Sequence, residues 1–349
     1  MTRDELIARV YEGAPVADVD LAGVDLAGAP LGGGIFENVR FAGANLAGAT
    51  LSESVLSRCD LTGCDMAGAA LRHATLHECS LARARLVDAL AVGLSANRCD
   101  LTGADLARAD LTIATLHACD LRGATLAGAR FDRTNLIECA MAGATLAGTT
   151  LRQTVLMNTD LTAVNLAAAR FENAVLVGSR LAGMSLRGMD FTLTQFTDGD
   201  LTDADLTGAT LARCGFKGAK LSGAKLDDAR AENCVFVEAA LVRASLRGAT
   251  LTQALFLDAD LTAADLTDAQ LAMATLTRAK CGAARFDGAD LTYANLAHAD
   301  LRGATFARST MLRTQLHRAR LDEAYFTDRS AALGDDPDAA AAEDWQPLY

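Results

Sequence analysis

The chain has 349 residues, a formal net charge of −12, and 51% hydrophobic but only 5% aromatic residues. The acidity argues against a basic nucleic-acid-binding face, and the apolar fraction argues against a wholly disordered chain. The lack of any apolar run of about 18 residues argues against a membrane-spanning helix. No basic segment followed by an apolar stretch marks the N-terminus, so the expected compartment is cytoplasmic.

Residues 1–15 read as an N-terminal capping helix. Thr2 and Glu5 have the spacing of a capping box. Leu6, Ile7, Val10 and Tyr11 fall on one helical stripe, and Gly13 and Pro15 end it.

Residues 16–328 carry a five-residue period. From Leu21 to Phe326, every position whose number ends in 1 or 6 is Leu, Phe or Met, with four exceptions: Ala91, Ala96, Ala231 and Cys281. All 12 Phe lie in this set. Two positions earlier in each five, Ala fills more than half of the places and Cys is the next most common. Neither a helix (period 3.6) nor a strand (period 2) fits such a pattern over so long a stretch. A chain that turns a corner at every fifth position does. The central residue of each short side and the residue two before it then point inward, because extended side chains alternate.

The motif is A(D/N)LxG with variants: AlaAsnLeuAlaGly at 44–48, AlaAspLeuAlaArg at 104–108, AlaAspLeuThrAsp at 264–268 and AlaAsnLeuAlaHis at 294–298. It resembles the pentapeptide repeat family over about nine tenths of the chain. The resemblance implies an all-β fold, a right-handed quadrilateral β-helix with four pentapeptides per coil.

The side chains themselves support four sides. Cys59, Cys79, Cys99, Cys119 and Cys139 recur four pentapeptides apart, as do Phe196, Phe216, Phe236 and Phe256, and again Phe286, Phe306 and Phe326. These ladders carry the register through Leu90–Asn97, where the central Leu is lost twice. About 15 coils at roughly 4.8 Å each give a rod roughly 74 Å long. Eight of the nine Cys occupy the small inward position, where a thiol serves as a small buried hydrophobe. The CxxC or His/Cys clusters of a metal site are missing, so no metal or cofactor is expected. The five histidines, His73, His77, His117, His298 and His317, are expected on the surface. Asp60, Asp100, Asp120, Asp160, Asp200, Asp260 and Asp300 form a column whose first role is to bond local backbone at corners. No catalytic residues are assigned, because a solenoid filled with Leu and Ala leaves no interior pocket for them.

Outward residues differ from side to side. The side centred on 36, 56 … 316 carries eleven large apolar side chains, the preceding side seven, and the other two together three. Val155, Met157, Val175 and Val177 form one cluster, and Val235, Val237, Leu255 and Leu257 another. They are the candidate surface for a protein partner or for a second copy of the chain in a homodimer. Residues 329–349 form an acidic tail that is either disordered or a capping and docking segment built on Trp345 and Tyr349.

The function expected is a non-enzymatic protein-binding scaffold or adaptor. Two alternatives follow from resemblance. The quinolone-resistance branch of the family implies a DNA mimic that protects topoisomerase (gyrase). Against it, residues 1–18 contribute −2 and residues 329–349 −4, which leaves only −6 on the solenoid. A duplex carries a charge about every 1.7 Å. The segment 5–28, in which a short helix leads directly into repeats, resembles pentapeptide repeat segments linked to type VI secretion and implies an accessory of that system. Direct nucleic-acid binding is not expected.

Overall fold

A computed structural model describes residues 1–345. The chain forms two compact units, one from Met1 to Arg180 and the other from Leu181 onward. Each is a parallel β-solenoid with four pentapeptides to the coil. The two units together hold about 16 turns, against the 15 expected. A final shortened rung, in which Leu333 pairs with Gln315, lies beyond the last pentapeptide.

The first unit opens with α1 (Arg3–Tyr11). The Thr2 hydroxyl accepts from the Glu5 N–H, and the Glu5 carboxylate accepts from the Thr2 N–H at 2.7 Å. Leu6 and Val10 are buried, and the Arg3 guanidinium donates to the Ala27 carbonyl at 2.9 Å. Tyr11, expected on the buried stripe, is 93% exposed. It is the last helical residue, and Gly13 turns the chain away with φ 68°. Strands β1 (Val16–Ala17), β2 (Ile35–Glu37), β3 (Val55–Ser57), β4 (Thr75–His77), β5 (Ser95–Asn97), β6 (Thr115–His117) and β7 (Asn135–Ile137) stack in order. β8 (Thr150–Arg152) pairs with β10 (Arg170–Glu172), and β9 (Val155–Met157) extends the first sheet. In this unit each strand residue pairs with its counterpart one coil on, as Leu56 does with Leu76.

In the second unit most rungs are single-residue bridges. One runs Lys220, Ala240, Asp260, Lys280, Asp300, Arg320. β11 (Thr305–Phe306) pairs with β12 (Tyr325–Phe326). The unit ends in α2 (Pro337–Glu343), whose N-cap carboxylate, Asp336, accepts from the Asp338 and Ala339 N–H groups.

Corners are made by tight turns. The Ala44 N–H donates to the Phe41 carbonyl at 2.7 Å, with Gly43 at φ 67° between them. A positive φ at the third residue marks a type II turn. Every residue numbered in 3 or 8 from Asp18 to Glu323, Ala163 apart, has positive φ, and most are not glycine. Asp, Asn and Arg fill many of these positions, but Ile113 (φ 53°) and Leu193 (φ 64°) also adopt this conformation.

The core follows the five-residue frame. Leu and Phe at the central positions are almost all fully buried, with Ala two residues before them. Where the preceding position must give way to a ring, it shrinks further: a Cβ on Gly34 would lie 2.6 Å from the Phe36 ring. In the second unit Phe196, Phe216, Phe236 and Phe256 stack face to face, with centroids 4.8–4.9 Å apart. Phe286, Phe306 and Phe326 also stack face to face, at 4.9 and 4.6 Å.

Candidate interaction surfaces

The backbone register places the two apolar clusters. In the first unit Val155 pairs with Val175, and Met157 pairs with Ile137. Val155, Met157, Val175 and Val177 are half-buried, so adjacent coils form a short apolar stripe edged by Asn158. In the second unit Val235 pairs with Leu255. Leu255 is exposed, while Val235, Val237 and Leu257 are half-buried, and Glu238 and Asp258 border the cluster along one edge. Residues that flank a buried centre lean on the coil above and below, which covers part of each side chain. Apolar residues at corners project further. Leu193, Met273, Tyr293 and Leu312 are 41–52% exposed, and the Arg313 guanidinium lies over the Tyr293 ring at 5.9 Å. The side expected to be less apolar therefore presents the more exposed apolar side chains.

The carboxylates are tied down. All seven of the Asp60–Asp300 column accept the N–H two residues on, at distances from 2.9 Å for Asp100 to 3.3 Å for Asp300. Asp160 of that column also pairs with Arg180 one coil away, as Asp65 does with Arg85, Asp88 with Arg108, Asp132 with Arg152 and Asp258 with Arg278, at 2.7–3.0 Å. The Arg108 guanidinium holds the Asp88 carboxyl below the usual carboxylate range. Exposed pairs of this kind contribute little stability, but they break up the negative field of the surface.

The cysteine column has a role that its spacing alone did not show. In the first unit the corners after Phe36, Leu56, Leu76, Ala96 and Leu116 follow three-residue strands. There the thiol one coil on reaches the central carbonyl. Cys59, Cys79, Cys99, Cys119 and Cys139 Sγ donate to the carbonyls of those five residues at 3.4–3.6 Å. Thr159 and Ser179 continue the column with hydroxyls on the Leu136 and Leu156 carbonyls. A small side chain with a weak donor is what such a corner needs. Burial pushes the Cys64 thiol up to about 11 and that of Cys139 up to about 12, so these sulfurs stay protonated and unreactive.

Four of the five histidines, His73, His77, His117 and His298, have side chains that are at least a third exposed or lie at exposed corners. His317 does not. Its side chain is only 12% exposed, because the segment 333–343 folds over it. Arg318 ties that segment down through Asp344 at 2.6 Å, Glu343 at 3.1 Å and the Ala340 carbonyl at 3.1 Å. Trp345 is 71% exposed just after α2, and Tyr349 lies outside the described residues. No helix among the described residues is long and apolar enough to cross a membrane.

Comparison with known proteins agrees with this architecture. The profile for pentapeptide repeats (8 copies) matches eight overlapping stretches that together cover residues 19–213 and a ninth at 284–322. The profile for the pentapeptide repeat region matches residues 209–286. The chain belongs to the pentapeptide repeat family. Among solved structures it is similar to QnrB1, a plasmid-mediated fluoroquinolone resistance protein, at 22% identity over 52% of this chain and 88% of that one (TM-score 0.42). It is also similar to HetL, a pentapeptide repeat protein involved in heterocyst differentiation regulation from the cyanobacterium Nostoc sp. strain PCC 7120. That match has 27% identity over 88% of this chain and 97% of that one (TM-score 0.22). No curated protein matches.

Proposed function

We propose that the protein is a non-enzymatic, cytoplasmic scaffold that binds a protein partner, or a second copy of itself, through the apolar strips of its solenoid. The observation that carries the reading is the stacking of Val235, Val237, Leu255 and Leu257 in register on adjacent coils, with the acidic residues Glu238 and Asp258 along one edge. An apolar core with a polar rim is the usual anatomy of a protein contact. Val155, Met157, Val175 and Val177 form a second strip of the same build. Residues 329–345 serve in this reading as the C-terminal cap of the solenoid. The paired carboxylates weigh against a DNA mimic, since nucleic-acid mimicry requires a dense unpaired negative surface.

The test combines Val235→Thr, Val237→Thr, Leu255→Thr and Leu257→Thr, which place a strand-forming side chain at partly exposed positions. Sedimentation velocity of the purified protein, together with affinity capture from native extract, should show loss of self-association or at least a tenfold drop in the captured partner. If neither the oligomeric state nor the captured set changes, the strip is not the interface.

A further inference from the structure

We infer that the second unit holds a divalent transition-metal site, of zinc type, formed by His298, His317 and Glu343, which fastens α2 to the coils. The three side chains come from separate parts of the chain and converge in the cleft between α2 and the solenoid, which Gln315, Asp336 and Ala339 also line. His298 Nε2 lies 3.1 Å from Glu343 Oε1, and His317 Nε2 lies 3.5 Å from Glu343 Oε2. The two rings stand edge to face with centroids 5.5 Å apart. One ligand atom from each residue falls within 4.8 Å of both others. A tetrahedral zinc with bonds of about 2.0–2.1 Å needs ligand atoms about 3.3 Å apart, so side-chain rotations with a small backbone adjustment at Asp336 close the set.

Two further observations separate this cluster from an ordinary surface group. The first is that His317 is nearly buried and its Nε2 has no hydrogen-bond partner, an orphaned polar atom aimed at Glu343. Such an atom is costly to leave unmatched. The second is a carboxylate behind the ring. His317 Nδ1 accepts the Asp336 N–H at 3.0 Å, and Asp335 Oδ1 stands 3.7 Å from the same nitrogen. When a metal takes Nε2, the ring proton moves to Nδ1. There it donates to Asp335, while the Asp336 N–H turns away, giving the carboxylate–histidine–metal arrangement common around zinc. Arg318 competes for Glu343 but keeps Asp344 and the Ala340 carbonyl when Glu343 turns to the metal. Two imidazoles and one carboxylate leave the fourth position to water from the cleft, and this ligand set suits zinc, cobalt or nickel over calcium and magnesium.

The test is calorimetric titration of the full chain with zinc chloride near neutral pH, with cobalt(II) absorption as the spectroscopic readout. The expected result is one saturable equivalent and a tetrahedral cobalt spectrum. His298→Ala, at a partly exposed corner that the fold does not depend on, should weaken binding at least 100-fold, and His317→Ala likewise. Asp335→Asn, which leaves all three ligands in place, should weaken it about 10- to 100-fold. Zinc should slow proteolytic cleavage after residue 330 in the wild type but not in His298→Ala. Absence of saturable binding, or one equivalent bound with unchanged affinity by folded His298→Ala, would overturn the site.

Discussion

Replacing Phe236 by alanine is expected to destabilise the second unit by about 3–5 kcal/mol, among the largest single-residue effects in that unit. Phe236 is fully buried and lies between Phe216 and Phe256, with ring centroids 4.9 and 4.8 Å away. Truncation removes both stacking contacts, each adding about 0.5–1.5 kcal/mol beyond area burial. The void cannot collapse easily, because backbone pairing above and below fixes the rung: the Phe236 N–H donates to the Leu255 carbonyl at 2.7 Å, and the Val235 N–H to the Cys214 carbonyl at 2.9 Å. For a unit of this size the midpoint of thermal unfolding should fall by on the order of 10 °C. Phe236→Leu, which keeps most of the volume but loses both stacking contacts, should cost less, about 1–3 kcal/mol. Urea unfolding of the three proteins measures the difference. Equal losses for Ala and Leu would show that the volume Leu retains at this rung does not matter.

The second large effect is predicted at Leu94. Ala91 and Ala96 stand where the frame elsewhere supplies Leu, and the interior there is an enclosed apolar cleft lined by Leu and Ala, Leu76, Leu101 and Leu116 among them. Leu94 occupies the inward position that is normally small and is 6% exposed. It fills part of the volume that its two neighbours leave. Leu94→Ala should therefore cost near the upper end of the range for such truncations, about 4–5 kcal/mol, because three adjacent inward positions would then be alanine. The double variant Leu94→Ala with Ala96→Leu, which restores the ordinary large and small pair, should recover most of the loss. This is strong non-additivity between neighbours. If the double variant is no more stable than Leu94→Ala alone, Leu94 is not compensating for Ala96.

The sequence carried most of the fold because the repeat is a packing rule. Each pentapeptide states which side chain fills the interior, and the Cys and Phe ladders state how many sides the interior has. Hydrogen bonding by the Asp column was also legible, since Asp two residues before an amide at a corner has one obvious partner. Three features were not legible, each for a physical reason. Each thiol at the small inward position reaches a central carbonyl of the coil before it, after a three-residue strand at Cys59 and after a tight turn at Cys64, Cys214 and Cys234, and that reach depends on backbone placement rather than on spacing. The corner residues Leu193, Met273 and Tyr293 were read as lesser members of a mixed side, yet the left-handed turn projects them further out than the strand residues Val235 and Val237. His317 was expected at the surface. Its burial depends on α2, which is set by Asp336 and Pro337 at its start and by Arg318 holding its end. Nothing in the five-residue frame places that helix over that histidine. The candidate contact residues were found by counting on the frame, and their register is real, but register alone does not name a partner.

The central claim is that four pentapeptides make one coil, since every column, strip and pairing above depends on it. It is tested most directly by a spin-label distance across five rungs of the second unit. Lys220 and Arg320 are exposed and lie on one ladder of bridges, and the nine native thiols are all buried, so Lys220→Cys with Arg320→Cys gives two selectively labelled sites. Double electron–electron resonance should give a distance centred at about 24 Å, five steps of a strand spacing near 4.8 Å. A distribution centred at roughly 32 Å or beyond, as a coil of only three pentapeptides would give at the same rise, would contradict the account.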